Sequence, residues 1–409
     1  MKLAEFLTQG HQLRQQDRTS AIAYFEQCLQ NTNIGGSSEE DLPTTARMLL
    51  DLAAELIATK QPESLQRAKD LVKRAGSTLN QNLENLNLET VDEQKAYFFY
   101  VSAILALESG ELVEVLPALE RAYHSYGDNG EGKALTDDAI GLYFLKIADY
   151  NSALMSLERS LSVRLETEDE CAIAKSYAYL GQLYLLIGDI NQAAGLFQNT
   201  LEIALTHSNN YLRIQALKGL AKVAIAQSQW QEAISFIKDT ISLLKEPVDS
   251  IEIGYLYCDL AEAMLGDRQI EDSLICIRIN VLPRFRDFQY ARGIAIAKHL
   301  RGRIYVYRLL EGLESLDEDA IETAEDSLLD ASLSFEQFGM MVEYAKSLYD
   351  LACLYQLCGS SQYQYQYQGK SLRSLELSLS VLDQMGMSDT GLASKVESML
   401  NQVMRGSFS

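Results

Sequence analysis

One apolar frame repeats through the middle of the chain, with Ile140, Leu180, Leu220, Leu260 and Leu300 standing forty residues apart. The next residue is small at Gly141, Gly181, Ala221 and Ala261, and only Arg301 departs. Further on, Ala153, Ala193, Ala233 and Ser273 supply a second small position, followed four residues later by Leu157, Phe197, Ile237 and Ile277. That spacing puts both sets on one helical face. Tyr150, Ile190, Trp230 and Ile270 mark where each second helix begins, so the only tryptophan has a structural slot. A phased set of this kind describes a helix pair that buries its apolar face only by stacking on its neighbours.

Composition agrees with helices throughout. Only 5 prolines occur in 409 residues, and proline breaks helix interiors. Apolar residues make up 47%, which excludes a disordered chain, and no apolar run approaches the ~18 residues of a membrane span. The first residues, MKLAEFLTQGHQLRQQ, read as an amphipathic helix rather than a signal peptide. The six cysteines lack any CxxC pair, and His11, His124, His207 and His299 lie far apart. Neither set has metal-site or disulfide spacing, so most cysteines read as buried small hydrophobes. A net charge of −22 argues against nonspecific nucleic-acid binding. Within it lies a basic island: eight Arg and Lys residues from Arg278 to Arg308 against the single acid Asp287.

The segment SYAYLGQLYLLIGDINQAAGLF, Ser176 to Phe197, carries Tyr177, Leu180, Gly181, Tyr184, Ala193 and Phe197 in the spacing of the tetratricopeptide repeat. On those residues the chain resembles a tetratricopeptide-repeat protein. Its forty-residue period is similar to that of kinesin light chains, Pins-like adaptors and bacterial peptide-sensing regulators, not to the usual 34. The resemblance implies an all-α, right-handed superhelical solenoid of antiparallel helix pairs, A and B. About eight pairs and a C-terminal capping helix near Thr390–Met404 would fill a single domain over 1–409. Within it, 1–130 holds divergent pairs, 131–290 regular repeats, and 291–409 repeats with a lengthened second helix. Asp169, Asn209 and Asp249 are expected helix N-caps, and the asparagine-rich Ser77–Asp92 a long connection.

An array of this kind works through its concave groove. The family's groove positions on the first helices fall here on Lys175, Tyr179 and Gln182, then Gln215, Lys218 and Lys222. The next units give Tyr255, Asp259 and Glu262, then Lys298, His299 and Tyr305. Each of these reads equally well as a solvated helix face. The carboxylate clamp of chaperone-binding relatives is broken, because Lys222 and Asp259 stand where asparagines are required. Arg284, Arg286, Arg292 and Arg303 form the candidate basic patch. Either it meets an acidic or phosphorylated segment, or it neutralises the acidic stretch from Glu311 to Asp330.

Two insertions break the frame. The small second-helix residue arrives eleven residues late, at Ala324, and seven late, at Ser371. Seven and eleven residues each fall within about 20° of whole helical turns, so both can lengthen a second helix without rotating its core face. The second insertion contains QYQYQYQ, from Gln362 to Gln368, read as a two-turn helix extension or a polar loop.

No catalytic motif stands out. GDNGEGKA has Ala134 where a phosphate loop needs Ser or Thr and reads as a polar loop. The sequence therefore points to a non-catalytic cytoplasmic adaptor, without cofactor or metal, that holds a peptide or helix of a protein partner. The alternative is a peptide-responsive module acting on an effector of another chain, since no DNA-binding domain is expected before the repeats.

Overall fold

A computed structural model describes residues 8–10, 12–14, 18–34, 42–80, 88–244, 251–313, 315–316, 318–359, 364–388 and 390–405. Its contacts gather into two compact units, Met1–Ser250 and Ile251–Ser409. Every regular element among the described residues is helical.

In the first unit α1 (Arg18–Ile34) is followed by antiparallel pairs: α2 (Leu42–Ala58) with α3 (Pro62–Leu79), α4 (Leu88–Ser109) with α5 (Leu112–Ser125), and α6 (Gly130–Lys146) with α7 (Tyr150–Thr167). Two more follow, α8 (Glu170–Ile187) with α9 (Ile190–Thr206) and α10 (Asn210–Ala226) with α11 (Trp230–Leu243). The second unit opens with α12 (Ile251–Gly266), whose partner is interrupted: α13 (Ile270–Cys276), a π-helical segment Ile277–Val281, and α14 (Leu282–Asp287). Then come α15 (Ala291–Leu310) with α16 (Glu318–Gln337), α17 (Met341–Cys358) with α18 (Gln364–Gln384), and the closing α19 (Gly391–Met404).

The forty-residue frame is a packing frame. Ala153, Ala193, Ala233 and Ser273 are fully buried, as are Leu157, Ile237 and Ile277. A Cβ on Gly141 would lie 2.6 Å from Leu157, and one on Gly181 2.9 Å from Phe197, so the small residue is what lets each pair close. The turns repeat too: Ala148, Gly188, Ser228 and Arg268 all take positive φ, forty residues apart. After each, the next N–H returns to the carbonyl five residues back, as in Asp149 to Phe144 and Gln269 to Met264, which satisfies an orphan carbonyl of the first helix. Asp169 and Asn209 cap α8 and α10 through the N–H of Ala172 and Leu212, whereas Asp249 lies outside the described residues. Trp230 is half-buried at the first position of α11.

Four departures from expectation have physical causes. Ser77–Leu79 and Leu88–Asp92, expected as parts of a long connection, are helical, and 81–87 lie outside the described residues. In GDNGEGKA only Gly127–Asn129 is turn, because the Asn129 side chain accepts the Gly132 N–H and starts α6. The Arg301 anomaly is a one-residue shift in register. Gly302 takes the small position, where a Cβ would sit 2.6 Å from Leu328, while Arg301 turns aside to donate to the Ser327 hydroxyl. The eleven-residue insertion is not all helix B. Relative to the α8–α9 pair, α15 is prolonged by three residues, the interval between the helices by five, and α16 starts three residues earlier before Ala324.

For the seven-residue insertion, Gln364–Gln368 are helical, which adds one turn to α18 before the buried Ser371. Tyr367 stacks on Tyr355 with ring centroids 6.1 Å apart. Gln362 and Tyr363 lie outside the described residues. The π segment ahead of Pro283 also shifts the phase by one residue. It inserts a Leu282 N–H to Ile277 carbonyl bond, and Val281 and Phe285 take the buried slots after Ile277.

Candidate functional site on the inner helix layer

Within each unit the first helices of successive pairs pack side by side: α2 on α4, α4 on α6, α6 on α8 and α8 on α10 in the first, α12 on α15 and α15 on α17 in the second. The second helices pack chiefly on first helices. The first-helix layer is therefore the tighter, inner one, and its free face is where side chains from several repeats can meet.

In the first unit that meeting point is a buried ionic cluster. Arg164, at the end of α7, is 0% exposed and lies 2.8 Å from the Asp138 carboxylate of α6, itself nearly fully buried. It also donates to the Ser176 hydroxyl at 2.8 Å and pairs with Glu131 at 3.2 Å. The Ser160 hydroxyl donates to the second Asp138 oxygen at 2.6 Å. Lys175 of α8 stands beside them, its ammonium 3.7 Å from Asp138 and 5.8 Å from the Tyr179 ring centroid. Burial holds Lys175 below the usual lysine range, and Arg164 and Arg14 push it further down against Asp138. Burial likewise raises the Tyr100 and Tyr179 hydroxyls well above the ordinary tyrosine value, with Asp138 and Tyr211 adding to both. Side chains of α4, α6, α8 and α10 thus share one electrostatic environment.

A second network lies N-terminal to it. Asp51 of α2 accepts from Arg14, from Arg47 at 3.1 Å and from the Tyr97 hydroxyl at 2.9 Å, while Glu55 pairs with Arg14 and Arg18. Burial alone would raise the Asp51 carboxyl, but Arg47, Arg14 and Tyr97 keep it below the usual carboxylate range.

In the second unit Arg303 of α15 bridges Glu262 of α12 at 2.9 Å and Asp350 of α17 at 3.5 Å. His299, buried, bonds Asp350 at 2.7 Å with its ring edge-on to Phe335. Burial would raise Glu262, but Arg303, Lys346 and His299 outweigh it and lower the carboxyl.

The sequence-derived groove residues divide accordingly. Lys175 and Tyr179 belong to the first-unit cluster, with Gln182 exposed on the same helix. Gln215 and Lys218 are half-buried and Lys222 exposed on α10. Glu262 and His299 join the Arg303 network, while Asp259 is half-buried on α12. Tyr255 instead bonds the Tyr290 hydroxyl at 3.1 Å. Lys298 pairs with Asp330 on the second helix α16, and Tyr305 packs against the core beneath Arg308.

The basic patch comes apart: Arg303 faces the inner layer, Arg284 lies over Tyr257 and bonds the Asn280 carbonyl, and Arg286 and Arg292 are exposed. The Lys298–Asp330 pair shows part of the island neutralising the acidic stretch. Sequence reading missed Arg164, Asp138 and Tyr100. The one available signal was Arg164 itself, a charge forty residues before Ala204, which is buried.

Among the described residues no group of His, Cys, Asp and Glu is arranged to hold a metal ion, and no helix is long and apolar enough to cross a membrane. All six cysteines are free, four of them buried.

No protein-family model matches the chain. Lipopolysaccharide assembly protein B of Escherichia coli (strain K12) is 22% identical over 174 residues, and the match spans only 41% of this chain and 41% of that protein. Among solved structures, the Rap conjugation gene regulator of plasmid pLS20 in complex with the Phr* peptide aligns with a TM-score of 0.54 at 14% identity, over 83% of this chain and 97% of that one. A STAND signal-transduction ATPase with a tetratricopeptide repeat sensor, from Pyrococcus horikoshii, aligns with a TM-score of 0.52 at 14% identity, over 91% of this chain and 51% of that one. With the phased helix pairs described above, these likenesses give the chain the fold of a tetratricopeptide-type helical-repeat protein.

Proposed function

We propose that this protein is a non-catalytic, cytoplasmic interaction module that holds a peptide or helical segment of a partner against its inner first-helix layer. The observation that carries this reading is the first-unit cluster. Half-buried Lys175 of α8 lies 3.7 Å from Asp138 of the Asp138–Arg164 pair, over the ring of half-buried Tyr179, and half-buried Tyr100 stands on α4 of the same first-helix layer. Tyrosine is favoured at binding hot spots because a large, stiff ring ends in a hydroxyl. Lys218, Lys222 and Gln182 extend the same layer, and the Glu262–Arg303–Asp350 network offers polar groups in the second unit.

A second reading makes the chain a peptide-responsive regulator of an effector on another chain. It is favoured by one observation: the pLS20 regulator, similar in fold over most of its length, is a gene regulator captured with a peptide. Pull-down with mass spectrometry tests both, with Lys218→Glu/Lys222→Glu as the control. An unchanged partner set in that variant contradicts binding along α10. Small-angle scattering with and without the captured segment then separates the readings. A change in radius of gyration supports the regulator, and a constant radius the adaptor.

A further inference from the structure

In the second unit the exposed face of the second helices departs from the forty-residue frame. Counted from the small buried residue of each second helix, the second, fifth and sixth positions after it are exposed. In α9 and α11 they hold Gly195, Gln198 and Asn199, then Ser235, Lys238 and Asp239, with no large apolar side chain. After Ser273 the same positions hold Ile275, Arg278 and Ile279. After Ala324, on α16, they hold Asp326, Leu329 and Asp330, and exposed Leu333 follows one turn on. Ile279 and Leu333 are 65% and 64% exposed. Residues three and four apart are neighbours on a helix surface, so Arg278 is flanked by isoleucines and Leu329 by aspartates. The two rows are opposites in the same register: one is apolar where the other is charged. Both lie beside α15, which packs on α13, the π segment, α14 and α16. Among the described residues neither Arg278 nor Asp326 has an ion-pair partner, whereas Asp330 pairs with Lys298.

We propose that this face docks a second copy of the chain about a two-fold axis, the isoleucine–arginine row of one protomer lying on the aspartate–leucine row of its partner. Charge complementarity selects the occupant. Arg278 of one protomer meets the unpaired Asp326 of the other, while Ile275 and Ile279 cover Leu329 and Leu333. A two-fold contact satisfies both rows at once, because the same patch serves both copies. A partner helix rimmed by one sign of charge would suit one row and be repelled by the other. Removing four exposed large apolar side chains per copy from water supplies the attraction, and the Arg278–Asp326 pair sets the register. Asp272 and Asp287 bound the isoleucine row, and Arg286 of α14 adds a second exposed cation to it. The net charge of −22 opposes self-association at long range, but physiological salt screens it beyond about 8 Å. The proposal is independent of any ligand on the inner layer.

Analytical ultracentrifugation of the full chain at physiological salt, over a wide range of loading concentrations, tests it. The wild type should show a reversible monomer–dimer equilibrium of the 45.7 kDa chain. Arg278→Asp and Asp326→Arg should each weaken the dimer on the order of a hundredfold, since each reversal sets like charges against one another in both halves of the contact. An equimolar mixture of the two variants should recover wild-type association, because in the mixed pair each reversed charge again faces its opposite. That recovery also guards against a folding defect in either variant. Ile279→Ser should weaken the dimer alone and in the mixture. A wild type that stays monomeric throughout, a dimer indifferent to both reversals, or a mixture that fails to recover would overturn the proposal. Growth beyond the dimer with concentration would overturn the two-fold contact in favour of a head-to-tail one.

Discussion

Arg164→Met is the perturbation that most directly probes how the inner layer is held. The guanidinium is fully buried, and its removal leaves the Asp138 carboxylate, 2% exposed, with only the Ser160 hydroxyl at 2.6 Å and Lys175 at 3.7 Å. Breaking a buried pair by deleting one partner costs about 3–5 kcal/mol, because an uncompensated charge stays behind. Here Lys175 can close on Asp138, so the expected loss is at the lower end, about 3 kcal/mol. Urea unfolding followed by far-UV circular dichroism measures it, and hydrogen exchange localises the loss to α6, α7 and α8. The double variant Asp138→Asn/Arg164→Met should be less destabilised than the two single losses combined, by at least about 1 kcal/mol, since one deletion relieves the other. A single-variant cost below about 1 kcal/mol, typical of an exposed pair, would refute the reasoning.

Other outcomes follow from the packing and the charges. Gly302→Ala should destabilise by about 1–3 kcal/mol, since its Cβ would press on Leu328, while Arg301→Ala costs less; the reverse order in urea unfolding would contradict the register shift. Amides of Gln366–Lys370 should exchange slowly as part of α18, and Tyr367→Ala should speed their exchange by removing the ring stacked on Tyr355. Asp51, lowered in the folded state by its arginines, contributes stability above the ordinary aspartate value of about 3.9 and loses it as pH falls through the lower folded value. The melting-temperature gap between wild type and Asp51→Asn should therefore be constant from neutral pH down to about 5 and close below about 4; a gap unchanged at the acid end would contradict the assignment.

The repeat frame was legible because each of its positions is a contact made within one helix pair. Gly141 meets Leu157 sixteen residues away, and Gly181 meets Phe197 at the same interval. Local periodicity records such contacts. The cluster was not legible, because its charges do not recur at forty-residue steps and part of it comes from the following pair: Asp138 looks like any acid on a solvated face until Arg164 and Ser160 of its own pair's second helix, and Lys175 of α8, enclose it. Tyr100 lies upstream of the phased units, where counting in steps of forty has no anchor. The Gly302 register shift and the π segment each move the frame by one residue, which fixed-step counting cannot follow. Of the groove residues picked from family positions, Lys175 and Tyr179 lie together in the cluster, whereas Lys298 turns to the second helix α16 and Tyr305 to the core.

Whether ligands engage the inner layer of the first unit is tested most directly by site-specific photo-crosslinking. A benzophenone amino acid placed at exposed Gln182 on the first helix α8 is compared with one at Met155, 72% exposed on the second helix α7. With a synthetic random hexapeptide mixture as the probe, adducts are expected at Gln182 and not at Met155. Equal labelling at the two positions, or labelling at Met155 alone, would contradict the account.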